Sequence, residues 1–245
     1  MAFDNYELDY PHEETAATSA RTQFIRLVYA HLAGAVLAFA GLCYLLVATL
    51  DEKGVVKLIT LGTGQPYGLL LLFVVYLASG YIAQALARSR SAPPLQYLGL
   101  ALYIGVMAVM FLPMLWVITW KMGPEATSLI PTAGILTLAV FAGLTITVFV
   151  TGKDYSFLAP ILAVGSMISL GVIICAMIWG FHLGLFFSFA MVALLAGCLL
   201  YQTSNVLHHY PTDQYVAASL ELFASVAVLF FYILRILMEL QSNRN

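Results

Sequence analysis

Charge is what this chain has least of: only 9% of its 245 residues are Asp, Glu, Lys or Arg, against 62% apolar or aromatic. With a mean hydropathy of +0.94, that scarcity excludes a soluble domain, which needs polar surface, and points to an integral membrane protein. A net charge of −2 leaves no basic footprint, so nucleic acid is excluded as a partner. Cysteine is nearly absent too. Cys43, Cys175 and Cys198 each sit inside an apolar run as small hydrophobes, with neither a disulfide framework nor a CxxC metal site. The last apolar run lacks lysine, all four lysines lying at run ends or in connections, which excludes a retinal Schiff base. The Gly-Ser-Met at 165–167 is no GxSG turn of an intramembrane serine protease, so no enzyme activity is expected. His31 and His182 are isolated, and no metal or other cofactor is expected.

What is abundant is apolar length. Crossing a hydrocarbon core of ~30 Å takes about 20 apolar residues, and seven such runs lie near 24–50, 67–87, 94–120, 128–151, 155–179, 182–204 and 213–238. The breaks carry turn or charge signals: DEKG and GTGQP within 51–66, RSRSAPP at 88–94, KMGPE at 121–125, GKD at 152–154, Gly180, and HHYPTD at 208–213. Connections this short make neighbours antiparallel. The expected fold is an all-α integral membrane protein, a seven-helix bundle over 23–240 with a short tail at 241–245.

Residues 1–22 form an acidic arm in which Asp4, Glu7, Asp9, Glu13 and Glu14 precede the first base, Arg21. The arm does not read as a signal peptide, having no basic start followed by an apolar core. It is expected to be solvated, and its five carboxylates are candidates for docking on a basic surface of a partner or on the protein's own cytoplasmic loops. The basic residues divide evenly between the two ends of the bundle, with Arg21, Arg26, Arg88, Arg90 and Lys153 at one and Lys53, Lys57, Lys121, Arg235 and Arg244 at the other. The pair flanking the first run, Arg21 and Arg26, favours an N-terminus inside.

The segments ARTQFIRLVYAHLAGAVLAF (20–39), TGKDYSFLAPIL (151–162), YQTSNVLHHY (201–210) and LFFYILRIL (229–237) resemble signatures of the Bax inhibitor family, also called the transmembrane Bax inhibitor motif family, in its bacterial branch. The resemblance spans nearly the whole chain. Its sharpest parts are Thr-x-x-Asp-aromatic-Ser, which contains Asp154, and Tyr-x-Thr late in the sixth run, paired with the Leu-Arg-Ile-Leu around Arg235. It implies seven helices with the last one central, in a bacterial inner membrane. It also implies either a pH-sensitive calcium or proton leak or a modulator of partner membrane proteins. The leak-type members resemble one another in two aspartates, at positions that are Gln202 and Ser225 here, and in an arginine matching Arg88 that pairs with the first of them. Two close carboxylates share a proton and titrate near neutral pH. Gln and Ser do not, and Arg88 would face the amide of Gln202. Calcium is therefore a doubtful ligand. The resemblance with these departures favours an accessory or regulatory subunit that binds another membrane protein or complex, with the ion leak as the alternative.

Glu221 stands out against that background as an acid inside the last run. It lies four residues before Ser225, on the same helix face. For a helix beginning near Thr212 it would sit roughly 14 Å along the axis, close to mid-bilayer, where a charged acid costs on the order of 2.5 kcal/mol or more unless paired, hydrated or protonated. Two readings remain open: a proton or cation site, or a hydrogen-bonded structural glutamate tethering the last helix. Among the other polar residues, His208 and His209 read as solvated, Asp154 as an N-cap for the fifth span, and Trp116, Trp120 and Trp179 as an interfacial belt.

Overall fold

A computed structural model describes residues 11–64, 68–89 and 93–243, among which there are helices and turns and no strand. Among the described residues eight α-helices follow one another: α1 (Pro11–Thr49), α2 (Glu52–Thr63), α3 (Gly68–Ala87), α4 (Pro93–Trp116), α5 (Leu129–Thr151), α6 (Ala159–Trp179), α7 (Leu185–His208) and α8 (Tyr215–Ser242). Seven segments are long and apolar enough to cross a membrane, and they coincide with the seven runs of the sequence to within a few residues.

Three departures from the sequence reading have physical reasons. Helix α1 starts at Pro11, well before the apolar run, because proline is suited to a first helical turn and nothing between it and Arg21 breaks a helix. Residues 51–66 are not simply a connection. Asp51 Oδ1 accepts from the Gly54 N–H at 2.8 Å, and this cap starts the twelve-residue α2, which is too short to span a bilayer. Finally, α4 continues through a π turn at Val117–Lys121, and α5 and α6 are each entered through a 3₁₀ turn. The α5 terminus is set by Gly152, whose φ of 59° lets its N–H close on the Val148 carbonyl at 2.9 Å.

Helix α8 is the axis of the bundle, packed against α7, α1, α5, α4 and α3. In lipid there is no hydrophobic force between helices, so close approach and shape do the work. Small side chains admit it: Ser219 and Ala217 on α8, and Ser188, Thr203 and Ser204 on α7, have no exposed surface. Between α3 and α4 the backbones approach so closely at Gly99 that an added Cβ would sit 2.6 Å from the Ala83 carbonyl oxygen. Around the middle of α8, Phe111 stacks on Phe230 with centroids 5.6 Å apart, and Phe39 meets Phe111 and Phe223 edge-on at 5.0 and 5.8 Å; such pairs contribute roughly 0.5–1.5 kcal/mol each. The last helix is central, as expected, but its ring is made by five of the other six spans. Helix α6 packs mainly on α7 and the edge of α3, outside the ring.

Candidate functional site

Pro211 to Gln214 form a turn, so α8 begins at Tyr215 and Glu221 stands six residues into it, about 9 Å along the axis. It is therefore shallower than the sequence reading placed it. The same turn brings Tyr210 back over α8, and its phenol donates to Glu221 Oε2 at 3.3 Å. Arg88, at the end of α3, completes the group: its guanidinium lies in electrostatic range of the Glu221 carboxylate and interacts with the Tyr210 hydroxyl. Tyr210 is pushed up to about 12, by burial first and then by the Glu221 charge, with Arg88 opposing. The amide that takes Arg88 is that of Gln84, one turn earlier on α3, whose oxygen accepts from Nη2 at 3.3 Å and Nε at 3.2 Å in the orientation that satisfies both groups. Outside this group lies an open pocket of about 640 Å³ whose lining includes Arg88, Tyr201, Asn205, His209, Tyr210 and Gln214.

The two positions where leak-type members carry aspartate lie on α7 and α8. Ser225 is buried at 8% exposure, and Gln202 has a buried Oε1 with no hydrogen-bond partner. Neither exchanges a proton. The carboxylate chemistry of this region rests on Glu221, balanced by one guanidinium and one phenol. Calcium takes six to eight oxygen ligands, and no group of three or more His, Cys, Asp or Glu is placed to hold a metal among the described residues.

At the same end of the bundle, Asp154 is not the N-cap expected for the fifth span, since Leu158 holds that position before α6, but it shapes the approach to that helix. Its Oδ1 accepts from the Ser156 N–H at 2.9 Å, starting the turn that leads into α6. Its Oδ2 pairs with His209 Nε2 at 2.8 Å, so His209 is half-exposed but engaged, not simply solvated. Ser204 of α7 joins them, accepting from the Tyr155 N–H at 2.9 Å while its hydroxyl reaches Asp154 Oδ1 at 3.4 Å. The Ser156 N–H, and then His209, hold the Asp154 carboxyl down at about 2. This cluster latches the α5–α6 connection onto the end of α7.

In the sequence Arg21 is only an orientation signal, yet its Nε donates to the Leu207 carbonyl at 3.0 Å and its Nη1 to the Tyr210 carbonyl. It thereby satisfies carbonyls that the end of α7 leaves open, while its guanidinium lies 5.3 Å over the Phe24 ring, itself stacked with Tyr210. Arg235 plays the corresponding part at the opposite end, donating from α8 to the Leu183 carbonyl in the α6–α7 connection. No local pattern announces either contact, because partner and donor are far apart in sequence. The docking candidates Asp4, Glu7 and Asp9 lie outside the described residues, and so do the side chains of Glu13 and Glu14.

Comparison with known proteins gives a consistent result. The model of a family described as Inhibitor of apoptosis-promoting Bax1 matches residues 21–243. An uncharacterized protein of Pseudomonas aeruginosa is 32% identical over 114 residues, 46% of this chain and 51% of that protein. A BI1-like protein of Arabidopsis thaliana is 34% identical over 119 residues, 43% of each chain. The matched stretches thus span about half of these relatives or less. No solved structure matches.

Proposed function

Since the chain belongs to the Bax inhibitor family, we propose that this integral membrane protein is an accessory or regulatory subunit that binds another membrane protein or complex, in a bacterial cytoplasmic membrane with its N-terminus inside. The observation that supports this reading is α6. None of its most apolar stretch is buried, and Phe157, Ile161, Val164, Met167 and Ile168 face outward. A spanning helix held by so little of its own bundle has a whole face available for van der Waals packing with a partner helix. The test is affinity purification in mild detergent with quantitative mass spectrometry, comparing the wild type with Val164→Trp/Met167→Trp. Membrane proteins enriched by the wild type and lost at least tenfold from the folded variant support the reading. Equal recovery with both, or no enrichment with either, sinks it.

A second reading, a proton or calcium leak, is favoured by one arrangement: Glu221 sits beneath Tyr210 and near Arg88, next to an open pocket at the end of the bundle. A single carboxylate suits proton exchange better than calcium binding.

A further inference from the structure

The opposite half of the bundle holds a cavity of about 400 Å³ between α1, α4, α5 and α8. Its inner wall is Phe39, Phe111, Phe223 and Phe230, and it opens sideways past Tyr44 and Leu138, which are 77% and 52% exposed. The two threonine hydroxyls of its wall ask for nothing, and the third hydroxyl, on Tyr44, stands at the exposed mouth. Thr119 donates to the Leu115 carbonyl at 2.8 Å and Thr137 to the Ala133 carbonyl at 2.7 Å, each within its own helix. A void with no unsatisfied polar group does not hold water, and the sideways opening, set between spanning helices, faces hydrocarbon.

Size and position select the occupant. An apolar cavity of about 150 Å³ takes up one benzene, so at the same density this one holds about 16 carbons. A partner helix is excluded: at a diameter of about 10 Å the same volume takes only about 5 Å of helix, one turn. The lining runs from Val47, Thr119 and Ile130, near the helix ends beside α2, inward to Val36, Phe111 and Phe223. Val36 to Val47 covers about 16 Å and Phe111 to Thr119 about 12 Å, comparable to one leaflet's share, ~15 Å, of the hydrocarbon core. The outer end lies at headgroup level: Lys121, 3.3 Å from Glu52 and over the Trp116 ring, marks it, and Lys53 and Lys57 are exposed on the adjoining α2. Ammonium groups there suit a lipid phosphate.

We infer that this cavity is a slot for one acyl chain of a phospholipid from the leaflet bordering α2, lying against the middle of α8. The chain's methyl end would reach Phe111 and Phe223, which are 2% and 1% exposed and out of reach of lipid at the bundle surface.

That difference makes the slot testable with the full chain in nanodiscs of phosphatidylcholine carrying a diazirine near one acyl methyl end. After illumination, peptide mass spectrometry is expected to find label at Phe111 or Phe223 as well as at exposed mid-membrane residues such as Ile168. Gly134 lines the slot and a Cβ added there meets nothing within 4 Å, so Gly134→Leu should fill it. Labelling of the two phenylalanines is then expected to fall at least tenfold, with Ile168 unchanged. Ala40→Leu, from the α1 wall, serves as the second variant should the first misfold. Label confined to exposed residues in the wild type overturns the proposal outright. So does label at Phe111 and Phe223 that survives in a folded filling variant.

Discussion

Helices α6 and α8 invert the rule of soluble proteins. The best window of α6 has a mean hydropathy of 2.6 and none of it is buried, whereas that of α8 reaches only 2.1 and is 61% buried. In water the more apolar helix goes inside. In lipid both have an apolar environment wherever they lie, so the centre goes to the helix that carries what lipid penalises: Ser219, Ser225 and Glu221 on α8. Helix α6 carries no Asp, Glu, Lys, Arg or His and loses little by exposure.

The largest test of that contrast is packing. Leu229→Ala, at a fully buried position of α8, should cost roughly 2–3 kcal/mol, at the low end of the usual range because the transfer part vanishes when the unfolded helix also lies in lipid. Ile168→Ala, 62% exposed on α6, should stay within about 0.5 kcal/mol. Unfolding with denaturing detergent in bicelles measures both, and equal costs would break the comparison.

Next comes the polar cargo of α8 as a transport element. Proteoliposomes of the wild type should show little or no calcium flux and no steep pH gating, while Gln202→Asp/Ser225→Asp should gain flux that switches between about pH 5 and 7, as two close carboxylates share a proton. Robust wild-type flux abolished by Glu221→Gln would reverse the conclusion and make Glu221 the working site. A smaller effect is expected from Tyr210→Phe, which removes one hydrogen bond to Glu221 and should lower stability by about 1 kcal/mol, visible as a reduced thermal midpoint.

The smallest effect belongs to the latch at the start of α6. The Asp154 carboxyl sits at about 2, below its usual 3.8, so its stabilising share is fully present above about pH 4 and is lost as pH falls through about 2. The stability difference between wild type and Asp154→Asn should therefore be flat from pH 5 to 8 and close toward pH 2. Because the Ser156 N–H is the larger cause, the same trend should persist in a His209→Gln background. A difference that instead vanishes near neutral pH would make His209 the controlling group.

The same inversion explains what the sequence made legible. Spans were readable because the bilayer fixes their length; Asp154 was legible as a local turn former, its bond to the Ser156 N–H reaching only two residues on, although the cap of α6 falls at Leu158. The order of burial was not readable from hydropathy, which ranks α6 above α8. The depth of Glu221 was misjudged because Thr212 and Asp213 looked like a helix start while the chain first turns to Gln214. Arg88 with Glu221, and Arg21 with Leu207, join residues far apart along the chain, and no period or motif encodes such partners. Helix α2 hid in a segment read as a connection, though Asp51 before an apolar stretch was the available signal.

The contact of Arg21 with the α7–α8 turn also sets a schedule for biosynthesis. Arg21 and its acceptor Leu207 are separated by 186 residues, which at 5–20 residues per second means about 10–40 s of translation between donor and acceptor. Until then the guanidinium must stay at the water-facing end of α1, and the bundle cannot close. A chain interrupted before the end of the sixth span would leave that cation without its acceptors beside an unfilled centre.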